Sequence, residues 1–126
     1  MDKSEKLSRL RQQLFQRFYE QKQLLQQLAD SNAMVLGSFY YVYKTCSKAN
    51  CCCKRGKRHG PFPALSQSIN GKRKLIMVKW NDEAVVKKKA TEYKRFQKGL
   101  KHIREKQKET EGILEKIRIL LIEEYS

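Results

Sequence analysis

Leu7, Leu10, Leu14, Phe18, Gln21, Leu25 and Leu28 recur at spacings of three and four through a stretch that no proline or glycine interrupts. That spacing sets them on one stripe of an α-helix running from about Asp2 to Asp30. Most of the stability of such a helix comes from packing its apolar face, so the stripe demands a second apolar surface. Asp2 and Glu5 have the spacing of a capping box at its start, and Ser31-Asn32 provides a stop. A second stripe follows "WNDEAVVKK", where Asn81 or Asp82 can cap a helix: Tyr93, Phe96, Leu100, Ile103, Gln107, Thr110, Leu114, Ile117 and Leu121. The stripe softens at Gln107 and Thr110, and Gly112 adds a local cost of about 1 kcal/mol relative to alanine. A break near 104–112 is therefore considered. The two stripes can pair antiparallel within one chain or form a homodimeric coiled coil. Periodicity does not separate these, and intrachain pairing with some self-association is the reading adopted.

Between the helices the period changes. "GSFYYVYKTC" is aromatic and β-branched, and "PALSQSINGKRKLIMVKW" contains Asn70-Gly71, a strong hairpin signal because both residues tolerate positive φ. Strands are predicted near 37–45, 63–69 and 72–79. Three strands alone are marginal, so this sheet needs a helix or a metal staple. The expected fold is α+β: long, coiled-coil-like N- and C-terminal helices flank a small three-stranded antiparallel sheet with a zinc-stapled loop. The corresponding boundaries are 1–31, 32–81 and 82–126. At 126 residues there is room for one domain with a helical extension. No apolar run reaches eighteen residues and the N-terminus lacks a secretory pattern, so a cytoplasmic protein is expected, nucleoid-associated if it binds DNA.

Charge is unevenly spread. Residues 31–81 carry ten Lys/Arg and no carboxylate, out of a net charge of +15 for the chain. Charge of this size speaks to polyanionic partners rather than to fold.

All four cysteines fall within eight positions of "TCSKANCCCKRGKRHGPF", with His59 close behind. Cys46, Cys51, Cys53 and His59 form C-x4-C-x-C-x5-H, a Cys3His set of the kind that holds structural zinc tetrahedrally. Adjacent residues of an extended chain point apart, which leaves Cys52 as the odd one. Small buried thiols are the bland alternative, and a redox pair the third, with Lys54 and Arg55 lowering a thiol pKa. Zinc is preferred, because clustering beside a histidine is hard to explain by packing alone. No carboxylate in 31–81 can act as a base, so a catalytic metal and an enzyme are not expected. His102 reads as a surface residue.

The segment "GSFYYVYKTCSKANCCCKRGKRHGPFPALSQSINGKRKLIMV" resembles the core of a domain-of-unknown-function family of small bacterial and archaeal proteins. In that family a C-x4-C-x-C cluster precedes HGP plus an aromatic, then a short Gly-Lys hairpin and a long helix. The resemblance spans roughly residues 37–103 and rests on Cys46, Cys51, Cys53, His59 to Phe62, and Gly71-Lys72. Cys52 stands where the family has a variable, often basic position. The resemblance implies a bacterial or archaeal origin and association with mobile elements, and it implies no activity.

The cations suited to phosphates are Lys54, Arg55, Lys57 and Arg58 after the cysteines, Lys72, Arg73 and Lys74 after the turn, and Lys87, Lys88, Lys94 and Arg95 on the second helix. Tyr40, Tyr41, Tyr43 and Phe39 could stack on bases, though packing against the helices is the simpler role. The expected function is non-enzymatic nucleic-acid binding, with duplex DNA favoured over RNA, by a regulator or accessory factor of a mobile element. The alternatives are an RNA-binding component of a ribonucleoprotein and a coiled-coil adaptor. The terminal helices are expected to meet a second copy or a protein partner.

Overall fold

The computed structural model describes residues 2–125. Helix α1 spans Lys3–Ala29, strands β1, β2 and β3 span Ser38–Lys44, His59–Ile69 and Lys72–Met77, and helix α2 spans Glu83–Leu121. The chain divides into a helical unit, residues 1–31 with 96–126, and a sheet unit, residues 32–95. The expected α+β class is the observed one. No helix among the described residues is long and apolar enough to cross a membrane.

In the helical unit, α1 starts where the capping pattern places it, with Asp2 accepting the Glu5 backbone N–H at 2.8 Å. This satisfies one of the donors left orphaned at a helix start. The two helices run antiparallel: Leu28 lies against Gly99, Gln21 donates to Gln107 at 3.2 Å, and Arg17 reaches Glu109 at 2.8 Å. The residues withdrawn from solvent on α1 are Leu7, Leu10, Leu14, Arg17, Glu20, Gln21, Leu24 and Leu28. Phe18 and Leu25, which the predicted stripe includes, are 64% and 51% exposed. On α2 the withdrawn residues are Phe96, Gly99, Leu100, Ile103, Lys106, Thr110, Ile113, Ile117 and Leu120, so Lys106, Ile113 and Leu120 take the places of the expected Gln107, Leu114 and Leu121. A 3-4 repeat, the pattern of knobs-into-holes packing, runs through both sets, with Glu20 and Leu100 beside it. Apolarity alone is a poor guide to them, because the middle of the true seam is polar.

That middle layer is an ion-pair network. Lys106 bridges Glu20 at 2.7 Å and Glu109 at 3.5 Å, and Arg17 joins Glu20 at 3.5 Å as well as Glu109. The Lys106 ammonium holds the Glu20 carboxyl below its ordinary value, and Glu20 in turn raises Lys106. A lowered carboxylate stabilises the fold above its unfolded pKa of 4.5, and that contribution is lost as pH falls through the lowered value. Glu20→Gln should therefore melt below the wild type at neutral pH, with the difference closing in thermal scans as pH falls below 4.5. A polar layer of this kind also fixes register, since sliding either helix would bury unpaired charge.

Helix α2 is continuous through 104–112, without the break considered from the sequence. Gly112 faces open space, and a Cβ added there would meet no atom within 4 Å, whereas a Cβ at Gly99 would come within 2.5 Å of Leu28 Cδ2. Gly112→Ala should accordingly stabilise the protein by about 1 kcal/mol through helix propensity. Gly99→Val should destabilise it by about 1–3 kcal/mol through overpacking. Chemical denaturation of both variants checks the pair.

The sheet unit is a meander, ordered β1-β2-β3 and antiparallel throughout. Asn70 and Gly71 take φ of 52° and 79°, the positive pair that a type I′ turn requires, and set the register Ile69↔Lys72 through Ala64↔Met77. Strand β2 begins at His59 rather than near 63 as predicted. Its two prolines favour a loop, yet each sits where no ladder bond is lost. Pro61 falls in the register shift between Val42↔Phe62 and Lys44↔His59. Pro63 turns its carbonyl to Val78 N–H, just beyond the last β2–β3 pair. Strand β1 stops at Lys44 and β3 at Met77, slightly short of the expected ends.

One face of the sheet rests on the first turns of α2. Tyr41 donates to Glu83 at 2.5 Å, Lys87 lies over the Tyr41 ring, and Val35 N–H reaches the Lys89 carbonyl at 3.1 Å. Cys53, Pro63, Ala64, Leu65 and Ala90 are the buried residues of this unit. The Glu83 carboxylate raises the Tyr41 hydroxyl pKa, so this contact persists across neutral pH.

Candidate metal centre

The cysteine loop is closed by the ends of β1 and β2, whose last pair is Lys44↔His59. Cys46 follows β1 by two residues, and His59 is the first residue of β2. Between them the chain turns at Cys51, whose N–H reaches the Lys48 carbonyl at 3.3 Å, and enters a 3₁₀ turn over Cys52–Arg55. Gly56 ends that turn in the left-handed region, with φ of 99°. At the mouth of β2, Gly60 takes φ of 139°, and a Cβ there would lie 2.8 Å from the Val42 carbonyl oxygen. Only glycine lets the two strands close behind His59 in this way.

The result brings the ligating atoms of Cys46, Cys51, Cys53 and His59 all within 4.8 Å of one another. Cys46 Sγ and Cys53 Sγ are 3.4 Å apart, Cys51 Sγ and His59 Nε2 are 3.0 Å apart, and the Cys46 N–H donates to Cys53 Sγ at 3.3 Å. A tetrahedral zinc with bonds of roughly 2.0–2.3 Å separates its donors by roughly 3.4–3.8 Å. The donor set, its number and its spacing fit such an ion. Cys53 is buried at 3% exposure, the other three donors are half-buried, and Cys52 is exposed outside the cluster. Extended-chain geometry also sets Cys52 apart, but for a different reason. Here the segment is a 3₁₀ turn, with about three residues per turn, so Cys52 and Cys53 diverge around a helix axis instead.

The electrostatics favour ligation at one thiol in particular. The Cys53 backbone N–H, then the Cys46 thiol and His59, lower the Cys51 pKa to about 6, placing the metal-binding thiolate within reach at neutral pH. For Cys46 the Lys48 backbone N–H acts downward, and the neighbouring Cys51 and Cys53 outweigh it to give a raised value. Cys51 also raises Cys52.

Every cation singled out in the sequence lies in the sheet unit and is exposed. Lys54 and Arg55 stand on the 3₁₀ turn itself, and Lys57 and Arg58 on the link to β2, so these four share the loop that the cluster closes. Strand alternation divides the next group, with Lys72 and Lys74 on one sheet face and Arg73 on the other. Lys87, Lys88, Lys94 and Arg95 follow on α2, where Arg95 is already tied to Glu92 at 2.6 Å. Of the tyrosines weighed for stacking, Tyr41 is held by Glu83 and packs edge-on against Phe39, while Tyr40 and Tyr43 remain 42% and 56% exposed. The polar layer of Arg17, Glu20, Lys106 and Glu109 is absent from the sequence-based stripe, and its one signal is that Arg17 and Lys106 continue the 3-4 spacing.

Comparison with curated proteins and with solved structures gives no match. A family profile matches residues 5–88, two thirds of the chain, from the first turn of α1 through the sheet to the start of α2. The match thus contains the whole cysteine–histidine cluster, and the chain belongs to the family described as Domain of unknown function (DUF6788).

Proposed function

We propose that this protein is a non-enzymatic nucleic-acid-binding protein whose sheet unit grips duplex DNA and is braced by a structural zinc on Cys46, Cys51, Cys53 and His59. The observation that carries this reading is where the charge falls. The sheet unit holds fifteen Lys/Arg against three carboxylates, Asp82, Glu83 and Glu92, and so accounts for +12 of the chain's +15. Two of those carboxylates are engaged internally, Glu83 by Tyr41 and Glu92 by Arg95 and Asn32. The remaining cations face solvent with little to neutralise them. Such a surface attracts phosphates and releases their counterions on binding.

Zinc serves the reading mechanically. When bound, it supplies a fixed tetrahedral crosslink between the ends of β1 and β2. Cys46, Cys51, Cys53 and His59 hold it, and Lys54, Arg55, Lys57 and Arg58 are then displayed from a braced loop. Duplex DNA is preferred to RNA because the β2–β3 ribbon, with Lys72 to Lys74 beyond its turn, matches the width of a B-form major groove. The deep, narrow major groove of RNA does not admit such a ribbon. Competition between equal lengths of duplex DNA and folded RNA tests the choice, with DNA winning on this reading and RNA winning if the ribonucleoprotein alternative holds. A role as accessory factor of a mobile element, and association with the nucleoid, belong to the same proposal.

The helical unit is assigned to self-association. Phe18 and Leu25 on α1, and Leu114 and Leu121 on α2, each follow a seam residue by one position, which puts them on one flank of the antiparallel pair, all about half exposed or more. The unit is near charge balance, thirteen cations to ten acids, so a second copy can meet it there without the repulsion two sheet units would suffer. Native mass of the wild type and of Phe18→Glu checks this, a dimer reverting to monomer in the variant.

A further inference from the structure

A small cleft separates the start of β1 from α2 within the sheet unit, and nothing in the metal centre or the basic loop accounts for it. Gly37, Ser38 and Phe39 form one wall, and Lys87, Thr91 and Lys94 form the other, around a volume of about 180 Å³. That is below the roughly 300 Å³ at which small-molecule pockets begin, so the cleft suits a single ionic group. Lys87, Thr91 and Lys94 are spaced by four and three residues and therefore share one helix face, directed at the strand. No carboxylate lines the cleft, although α2 carries Glu83 and Glu92 close by in sequence.

Parts of both walls are held by contacts within the sheet unit. Lys87 lies over the Tyr41 ring, 5.8 Å from its centre, and the Thr91 hydroxyl is pinned by donating to the Lys87 carbonyl at 2.9 Å. Gly37, at φ of 128°, runs so close to β2 that a Cβ would stand 2.6 Å from the Ser66 carbonyl oxygen, so its wall is backbone held against β2. Lys87, Lys94 and Ser38 are lining residues whose side chains carry donors, and a tetrahedral oxyanion is the ligand such a set complements.

We infer that the Gly37–Phe39/Lys87–Lys94 cleft is a binding site for one phosphate group, gripped by Lys87 and Lys94 together. Its natural source, a nucleic-acid backbone, rests on the function proposed above; the site itself does not. A backbone phosphate seated there would lock the protein's register on the duplex, since a cleft positions one phosphate where an open lysine surface accepts any.

The full-length, metal-loaded protein should be followed by ¹H–¹⁵N spectra during titration with inorganic phosphate alone, and separately with a short DNA duplex. Saturable shifts at the Gly37, Ser38 and Thr91 amides are expected in both series, and their loss in K87Q/K94Q, whose remaining spectrum reports that it is folded. The slope of log affinity for duplex against log salt should fall by about 0.9 in that variant, one phosphate lost, whereas two independent contacts would remove about 1.8. Duplex binding that leaves these amides unmoved and the variant's slope unchanged would overturn the site while sparing the polyanion reading. Shifts with phosphate but no duplex binding would keep the site, identify free phosphate as its source, and overturn the polyanion reading. No shift with either probe would overturn the site.

Discussion

On the proposed zinc site, Cys53→Ser should abolish metal binding and unfold the sheet unit, the largest loss expected of any single substitution here. Cys53 is the buried member of the cluster, in contact with Cys46 through both sulfur and backbone N–H. A structural zinc in a small site contributes apparent binding free energy of about 10–16 kcal/mol, which in such domains is folding free energy. A whole domain is stable by only about 5–15 kcal/mol, and outside the cluster the sheet unit's buried residues are Pro63, Ala64, Leu65 and Ala90. Nothing else in that unit can absorb the loss. Metal content per chain, read beside a thermal melt, should fall from one zinc to none, with the cooperative transition of the sheet unit gone. Cys52→Ser, at an exposed thiol outside the cluster, should keep both. Full zinc retention in Cys53→Ser would refute the ligand assignment.

Replacing Lys54, Arg55, Lys57 and Arg58 together by glutamine should produce the largest change in binding. If each cation meets one phosphate, the salt slope falls by about 3.6, which at about 0.15 M salt amounts to roughly a thousandfold in affinity relative to a 1 M reference. The zinc content and melt of this variant should match the wild type, because the four side chains are exposed and make no contact that the fold depends on. A coiled-coil adaptor predicts the opposite pattern, with the quadruple variant fully active and the helical flank critical. The structure selects the residues for that comparison. Leu114 is 48% exposed on the flank, so Leu114→Glu probes a partner, whereas Ile117 lies in the seam and its substitution would disturb the helix pair itself.

The parts of the fold legible in the sequence are those set by local chemistry. Asp2 caps α1, Asn70-Gly71 turns the hairpin, and the aromatic run from Phe39 to Tyr43 is a strand. The cysteine–histidine cluster is legible too, because loop spacing limits which donors can converge. What stays hidden depends on a partner surface. The true seam passes through Arg17, Gln21, Lys106 and Thr110, residues that become seam residues only when the opposite helix supplies groups to match. Judged by apolarity, Phe18 and Leu25 look like the better choices and are in fact the outer flank. The early start of β2 is hidden for a similar reason. Pro61 and Pro63 forbid a fully paired central strand, but not one whose neighbours end or shift beside each proline. The phosphate-sized cleft is invisible because Gly37 and Ser38 meet Lys87 and Lys94 from a distant part of the chain.

The most direct test of the central claim is the affinity of the metal-loaded protein for a short DNA duplex, measured from low to physiological salt. A sheet unit carrying +12 should give a log–log slope of several negative units, with binding still measurable at about 0.15 M. Absent binding at low salt, or an affinity that does not change with salt, would contradict it.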